Sequence, residues 1–158
     1  MKLYLVQHGE AKSKDVDPDR SLTEVGKRKT TKTAVWMERR PIEVTEIRHS
    51  GKKRAQQTAE IMAAHLGPAR GVMAGAGLKP NDDILPVAES LDDQAEPIMI
   101  VGHLPFLSRL AAFLLAGDPE LKVVSFTNSG VVCLSRENEQ WSLAWSIIPD
   151  LIAESAEQ

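Results

Sequence analysis

Two short apolar runs constrain this chain most, because each stops at a histidine with a glycine beside it. Leu3-Tyr4-Leu5-Val6 leads through Gln7 into His8-Gly9, and Ile98-Met99-Ile100-Val101 leads through Gly102 into His103-Leu104-Pro105. Apolar runs of this length, bounded by turn residues, read as strands buried on both faces, the kind found in parallel sheets. Ligands of open α/β sheets bind just outside the carboxyl ends of the strands. Two such strands would therefore deliver two imidazoles to one edge, where they could face each other. An imidazole serves as nucleophile, acid–base group or metal ligand, so the remaining residues have to choose.

Those residues supply the helices that a parallel sheet needs. After a strand over 2–7 and a polar loop over 12–20, Thr23 is a fitting cap for a helix running to about Arg40, where Pro41 ends it. A strand over 43–49 precedes a helix from about Lys52 to Leu66, stopped by Gly67 and Pro68. Residues 67–83 read as a long loop, with five glycines or prolines by Gly77. A helix over 84–94, a strand over 97–102 and an apolar helix over 104–116 follow. Residues 122–148 read as two or three strands including a hairpin. The pattern predicts one α/β domain spanning 1–158. It is a three-layer sandwich with a mostly parallel sheet, helices on both faces and an antiparallel element near the C-terminus.

Composition narrows the function classes. The 158 residues carry a net charge of −3, which argues against broad binding to nucleic acid or anionic membrane. One cysteine, Cys133, excludes an internal disulfide and a cysteine-rich zinc site, and its apolar neighbours suit a buried thiol. The N-terminal apolar run is too short for a secretory signal, and no stretch approaches the ~18 apolar residues of a membrane span. The expectation is a soluble, cytoplasmic protein.

Several familiar sites fail on inspection. Gly75-Ala76-Gly77 starts like a dinucleotide loop but meets Pro80 where a third glycine belongs. No phosphate loop of the Gly-x-x-x-x-Gly-Lys type and no Gly-x-Ser-x-Gly elbow is present. The histidines lack the spacing or flanking cysteines of a zinc site, so no metal and no cofactor are expected. What remains suits a phosphoryl group. Ser50-Gly51-Lys52-Lys53-Arg54-Ala55 opens a helix directly after a strand, and Gly102-His103-Leu104-Pro105 opens a second at the same edge. Free amides at helix N-termini bind anions, and arginine adds a bidentate fork. Arg48, Lys52, Lys53 and Arg54 form a dense local cationic patch within an acidic chain. His49 fits either the rim or a structural role. His65, near a helix C-terminus, reads as structural. Trp36, Trp141 and Trp145 read as packing residues.

Four blocks in order, Leu5-Val6-Gln7-His8-Gly9-Glu10, Leu22-Thr23-Glu24-Val25-Gly26, Ser50 through Ala59, and Gly102-His103-Leu104-Pro105, resemble the histidine phosphatase superfamily. The short length resembles its compact phosphohistidine phosphatase branch. The resemblance implies that His8 is a nucleophile forming a transient phosphohistidine that water hydrolyses. It implies that Arg54 binds the phosphoryl oxygens and that a protonated His103 stabilises them. Gln7, Gly9, Glu10, Ser50 and Gly102 complete the expected substrate-binding set. The expected partner is a phosphorylated protein such as a histidine-phosphotransfer domain, with inorganic phosphate as product.

Two departures from the family pattern stand out. The first motif is usually Arg-His-Gly, whereas this chain has Gln7, which lacks the charge and the fork. Arg20, Arg48 and Lys52 are the candidates to compensate. Larger members also carry an acidic residue that protonates the leaving group, and here Asp82, Asp83 and Glu89 are only weak candidates. An imidazole leaving group can depart protonated and needs less help, which leans toward phosphohistidine. The rival readings are a small-molecule phosphomonoesterase and a phosphate- or phosphopeptide-binding module without turnover.

Overall fold

The computed structural model of the chain describes residues 1–154. Ten regular elements follow one another: β1 (Lys2–Gln7), α1 (Glu24–Glu38), β2 (Glu46–His49), α2 (Lys53–Leu66), β3 (Val72–Ala74), α3 (Leu85–Ser90), β4 (Ile98–Gly102), α4 (Phe106–Ala116), β5 (Val131–Glu137) and β6 (Gln140–Ile147). The strands form one sheet in the order β3-β2-β4-β1-β5-β6. The pairs β3–β2, β2–β4 and β4–β1 are parallel, while β1–β5 and β5–β6 are antiparallel. β1 and β4 are direct neighbours, with Gln7 opposite Gly102, so the two histidine-bearing strand ends lie side by side.

Alternation along β1 sends side chains to two cores. Leu3 and Leu5 join Ile98, Ile100, Val132 and Leu134 against α3 and α4, including Val87, Phe106 and Leu110. Tyr4 and Val6 join Met99, Val101 and Cys133 against α1 and α2, including Ala34, Met37, Ala59 and Met62. The sheet is thus covered on both faces, the three-layer α/β arrangement the sequence pattern predicts.

Local chemistry sets the helix ends. Thr23 Oγ1 accepts from the Gly26 amide at 2.9 Å, capping α1. Gly67 ends α2 with φ 55°, a left-handed conformation that glycine adopts without a Cβ clash. Gly26 is needed for a different reason: a Cβ there would sit 2.2 Å from the Glu10 carbonyl oxygen. That contact seats the start of α1 directly on the chain leaving His8.

Four boundaries differ from expectation. The strand expected over 43–49 starts at Glu46. The loop expected over 67–83 contains β3, a three-residue edge strand between Gly71 and Gly75. The helix expected over 84–94 stops at Ser90 and tightens into a 3₁₀ turn over Leu91–Asp93. The apolar segment before Asn128 adds no strand, and only a single bridge joins Asn128 to Gln7. The C-terminal antiparallel element is the β5–β6 hairpin.

Candidate functional site

The carboxyl ends of β1, β4 and β2 converge with the first turn of α2. His8 follows β1, His103 follows β4, Ser50 follows β2, and Arg54 lies in the first turn of α2. The rings of His8 and His103 have centroids 5.0 Å apart, tilted by 51°.

The backbone holds His8 from several sides. Its amide donates to the Gly102 carbonyl at 3.0 Å, and its carbonyl accepts from Asn128 Nδ2 at 2.8 Å. The next amide, Gly9, donates to Thr58 Oγ1 at 2.9 Å, and Thr58 in turn donates to the Arg54 carbonyl at 2.8 Å. The ring is oriented too. His8 Nδ1 lies 2.7 Å from the Gly9 carbonyl, an acceptor only, so Nδ1 carries the proton and Nε2 keeps a lone pair. Burial lowers the His8 pKa, opposed by the Gly9 hydrogen bond and reinforced by the Arg54 and Arg20 charges. A neutral imidazole with Nε2 exposed as a base is the form a nucleophile requires.

His103 is almost fully buried. Its Nε2 lies 2.6 Å from Ser50 Oγ, which also accepts from the Lys52 amide at 3.3 Å. We assign the Ser50 hydroxyl proton to His103 Nε2, which leaves the imidazole proton on Nδ1, a buried atom without a partner among the described residues. Burial, then His8, Arg54, Lys52 and Arg20, push the His103 pKa down to about 3. The sequence reading expects a cationic His103; the structure holds it neutral, because four positive or potentially positive groups already surround it. A phosphoryl dianion among these groups would reverse that balance.

Arg54 Nε and Gln7 Oε1 are likewise buried and unpartnered among the described residues. Buried polar atoms are rarely left without partners, so three orphans on adjacent strand and helix ends mark a place shaped for a polar ligand. Of the candidates to offset the missing charge at Gln7, Arg48 is taken: its side chain is paired with Glu46 and reaches Gln94 at 3.5 Å. Lys52 acts electrostatically on His103 alone of the three key groups. Arg20 acts on His8, Arg54 and His103 together. It sits at φ 52° with Nε donating to the Lys12 carbonyl at 3.1 Å. Asp17 braces this turn by accepting from the Ser21 amide and hydroxyl and from the Asp19 amide.

No carboxylate is hydrogen-bonded to His8, His103 or Arg54 among the described residues. Glu10 Oε2 accepts from Thr23 Oγ1 at 2.9 Å, tying it to the α1 cap rather than to either imidazole. Asp82 accepts from the Lys79 amide, Asp83 from the Leu85 amide, and Glu89 is exposed on α3. His49 is buried, with Nδ1 accepting from the Gly51 amide at 3.0 Å. His65 pairs with Glu38 at 2.6 Å, in keeping with a structural role. Sequence reasoning missed Asn128 and Thr58, which position His8 and Gly9 from 120 and 49 residues away in the chain. Only the Asn-Ser-Gly turn signal at 128–130 hinted at the first.

Comparison with known proteins bears on the fold that carries this site. The model of the histidine phosphatase superfamily (branch 1) matches residues 3–76. Among solved structures, the chain is similar to the protein histidine phosphatase SixA complexed with tungstate, at 24% identity and TM-score 0.83, covering 95% of this chain and 98% of that one. It is similar to a SixA protein from Agrobacterium tumefaciens, at 22% identity and TM-score 0.72, covering 94% and 97%. Phosphoserine phosphatase from Entamoeba histolytica shares the fold at 16% identity and TM-score 0.68, covering 92% and 95%. No curated protein sequence matches the chain. Residues 3–76 thus match the histidine phosphatase superfamily, and the fold over nearly the whole length is that of these solved structures.

Proposed function

We propose that the chain is a phosphatase acting on phosphohistidine in proteins. The observation that carries this reading is a neutral His8, its Nε2 free, set among nitrogen donors with no carboxylate bonded to any of them among the described residues. His8 Nε2 attacks phosphorus as the N–P bond of the substrate breaks, and the leaving imidazole departs with a proton. Arg54 and Arg20 hold the equatorial oxygens, and His103 takes up a proton as the dianion arrives. Water then attacks phosphohistidine at position 8, releasing inorganic phosphate and restoring the imidazole. An alkoxide would need an acid, whereas Glu10, Asp82 and Asp83 are hydrogen-bonded to Thr23, Lys79 and Leu85. A histidine-phosphotransfer domain is the partner type this chemistry suits. Turnover needs no metal, so a chelator leaves it unchanged.

Rapid quenching after mixing with a labelled phosphohistidine donor tests the mechanism. The trapped label is expected to be acid-labile and alkali-stable, to map to His8, and to vanish in His8→Ala. Label on serine or aspartate, or none at all, overturns it. The shared fold with phosphoserine phosphatase favours a second reading, a phosphomonoesterase. In that case Asp82→Asn or Asp83→Asn cripples turnover of poor leaving groups.

A further inference from the structure

His49 is a buried imidazole that the proposed chemistry leaves unused, and its ring is tied to the turn that carries Ser50. It ends β2, where strand register places it opposite Ala74 of β3 and Val101 of β4. Its carbonyl accepts from the Gly75 amide at 2.8 Å, so the base of the side chain is fixed. Its Nδ1 accepts from the Gly51 amide at 3.0 Å. An amide only donates, so Nδ1 is bare and the ring proton sits on Nε2. Burial lowers the His49 pKa, with the Glu60 charge opposing, which favours this neutral form. The turn needs such a hold. Gly51 has φ 91°, in the left-handed region that glycine enters freely, and no atom beyond its chain neighbours lies within 4 Å of a Cβ built there. Side-chain packing at Gly51 does not hold this turn, so hydrogen bonds must. The His49 bond and the Lys52 amide, donating to Ser50 Oγ at 3.3 Å, supply them.

We propose that His49 is a positioning residue for His103, holding the Ser50–Gly51 peptide so that the Ser50 hydroxyl faces His103 Nε2; this rests on the phosphohistidine reading. The Gly51 amide belongs to the same planar peptide unit as the Ser50 carbonyl, so holding it fixes the backbone from which the Ser50 side chain projects. Ser50 Oγ then lies 2.6 Å from His103 Nε2. Donation to Nε2 keeps the ring proton on Nδ1, the buried atom that has no partner among the described residues. An N–H donor is thereby ready for a phosphoryl oxygen while His103 is still neutral. When the ring takes up its second proton at Nε2, the same hydroxyl turns to accept from it. Ser50 serves both charge states, but only from one position. Without the His49 bond the turn is free to rotate, and the neutral His103 ring divides between two tautomers.

His49→Leu removes the acceptor and keeps apolar bulk, whereas His49→Asn keeps one, since an asparagine carbonyl accepts from the amide two residues on. On a phosphohistidine substrate, His49→Leu is expected to lower kcat about tenfold with KM within about twofold, and His49→Asn to stay within about threefold of wild type. In a Ser50→Ala background, His49→Leu is expected to cost less than about twofold more. Nitrogen NMR of the imidazoles reads the link directly. Wild type and His49→Asn are expected to show a bare Nε2 and a protonated Nδ1 on His103, and His49→Leu mixed tautomers. Equal impairment by Leu and Asn, losses that multiply in the Ser50→Ala background, or an unmoved His103 spectrum in His49→Leu overturns the proposal. Should the variants fail to fold, the wild-type spectrum decides: a bare Nδ1 on His49 with a bare Nε2 on His103 is expected, and a proton on either atom overturns it. If the wild type turns over no phosphohistidine, the phosphohistidine reading fails, while the spectra still decide the role of His49.

Discussion

At position 7 the side chain is uncharged, and the cations this site feels come from Arg54 and from Arg20 on the preceding turn. A charged hydrogen bond is worth about 1.5–3 kcal/mol, which corresponds to roughly ten- to a hundredfold in binding. Arg20→Ala is therefore expected to weaken inhibition by inorganic phosphate by about that factor, and an unchanged inhibition constant would refute its role. Gln7→Arg in the same assay keeps or improves phosphate affinity; a large loss would mean that the amide makes a contact no cation can replace. The two histidines proposed to carry the chemistry were legible because each sits in a short local pattern, His8 beside Gly9 and His103 beside Gly102. The charge state of His103 was not, because it follows from Arg54, Lys52 and Arg20 meeting at one point. Asn128 and Thr58 escaped for the same reason: their partners lie far along the chain.

Among the elements, α1 does more than cover the sheet. Its N-terminus rests on the segment after His8 through Gly26, and its cap binds Glu10. Gly26→Ala would push a methyl group against backbone rather than against a side chain that can turn away. We expect a cost of about 1–3 kcal/mol, seen in thermal melts, together with reduced turnover as residues 9 and 10 shift. Retention of both stability and activity would show that α1 and this segment move independently. The long elements were legible from capping and periodicity, as Thr23 and Gly67 illustrate. The short β3 was not. Val72-Met73-Ala74 lies between glycines, and only pairing with β2 makes it a strand. Val123 and Val124 misled in the opposite direction, since apolar character there serves a connecting segment, with Val124 packing on the α4 side of the sheet.

For the whole molecule, the buried His49 and His103 and the half-buried His8 have pKa values lowered by burial. The unfolded chain takes up protons near the ordinary histidine value of about 6.5, whereas the folded chain resists, in His103 down to about 3. More protons bound by the unfolded state means that stability rises with pH, so it is lost as pH falls below about 6.5. Asp17, held at about 2 by Ser21 and Asp19, pulls in the same direction, but only below its ordinary value of 3.8. Urea unfolding of wild type and His103→Asn at pH 7.5 and pH 5 is expected to show a smaller drop in the variant; equal drops would mean that His103 is charged in the folded protein. The position of β1 has a kinetic consequence. It lies between β4 and β5, and Leu3, Leu5 and Val6 have no exposed surface. Backbone amides in such a strand exchange with solvent only when the molecule opens globally. His8 and His103 therefore stand at the ends of the two central, slowly exchanging strands, and partial unfolding at the edges leaves the candidate site assembled until the whole sheet gives way.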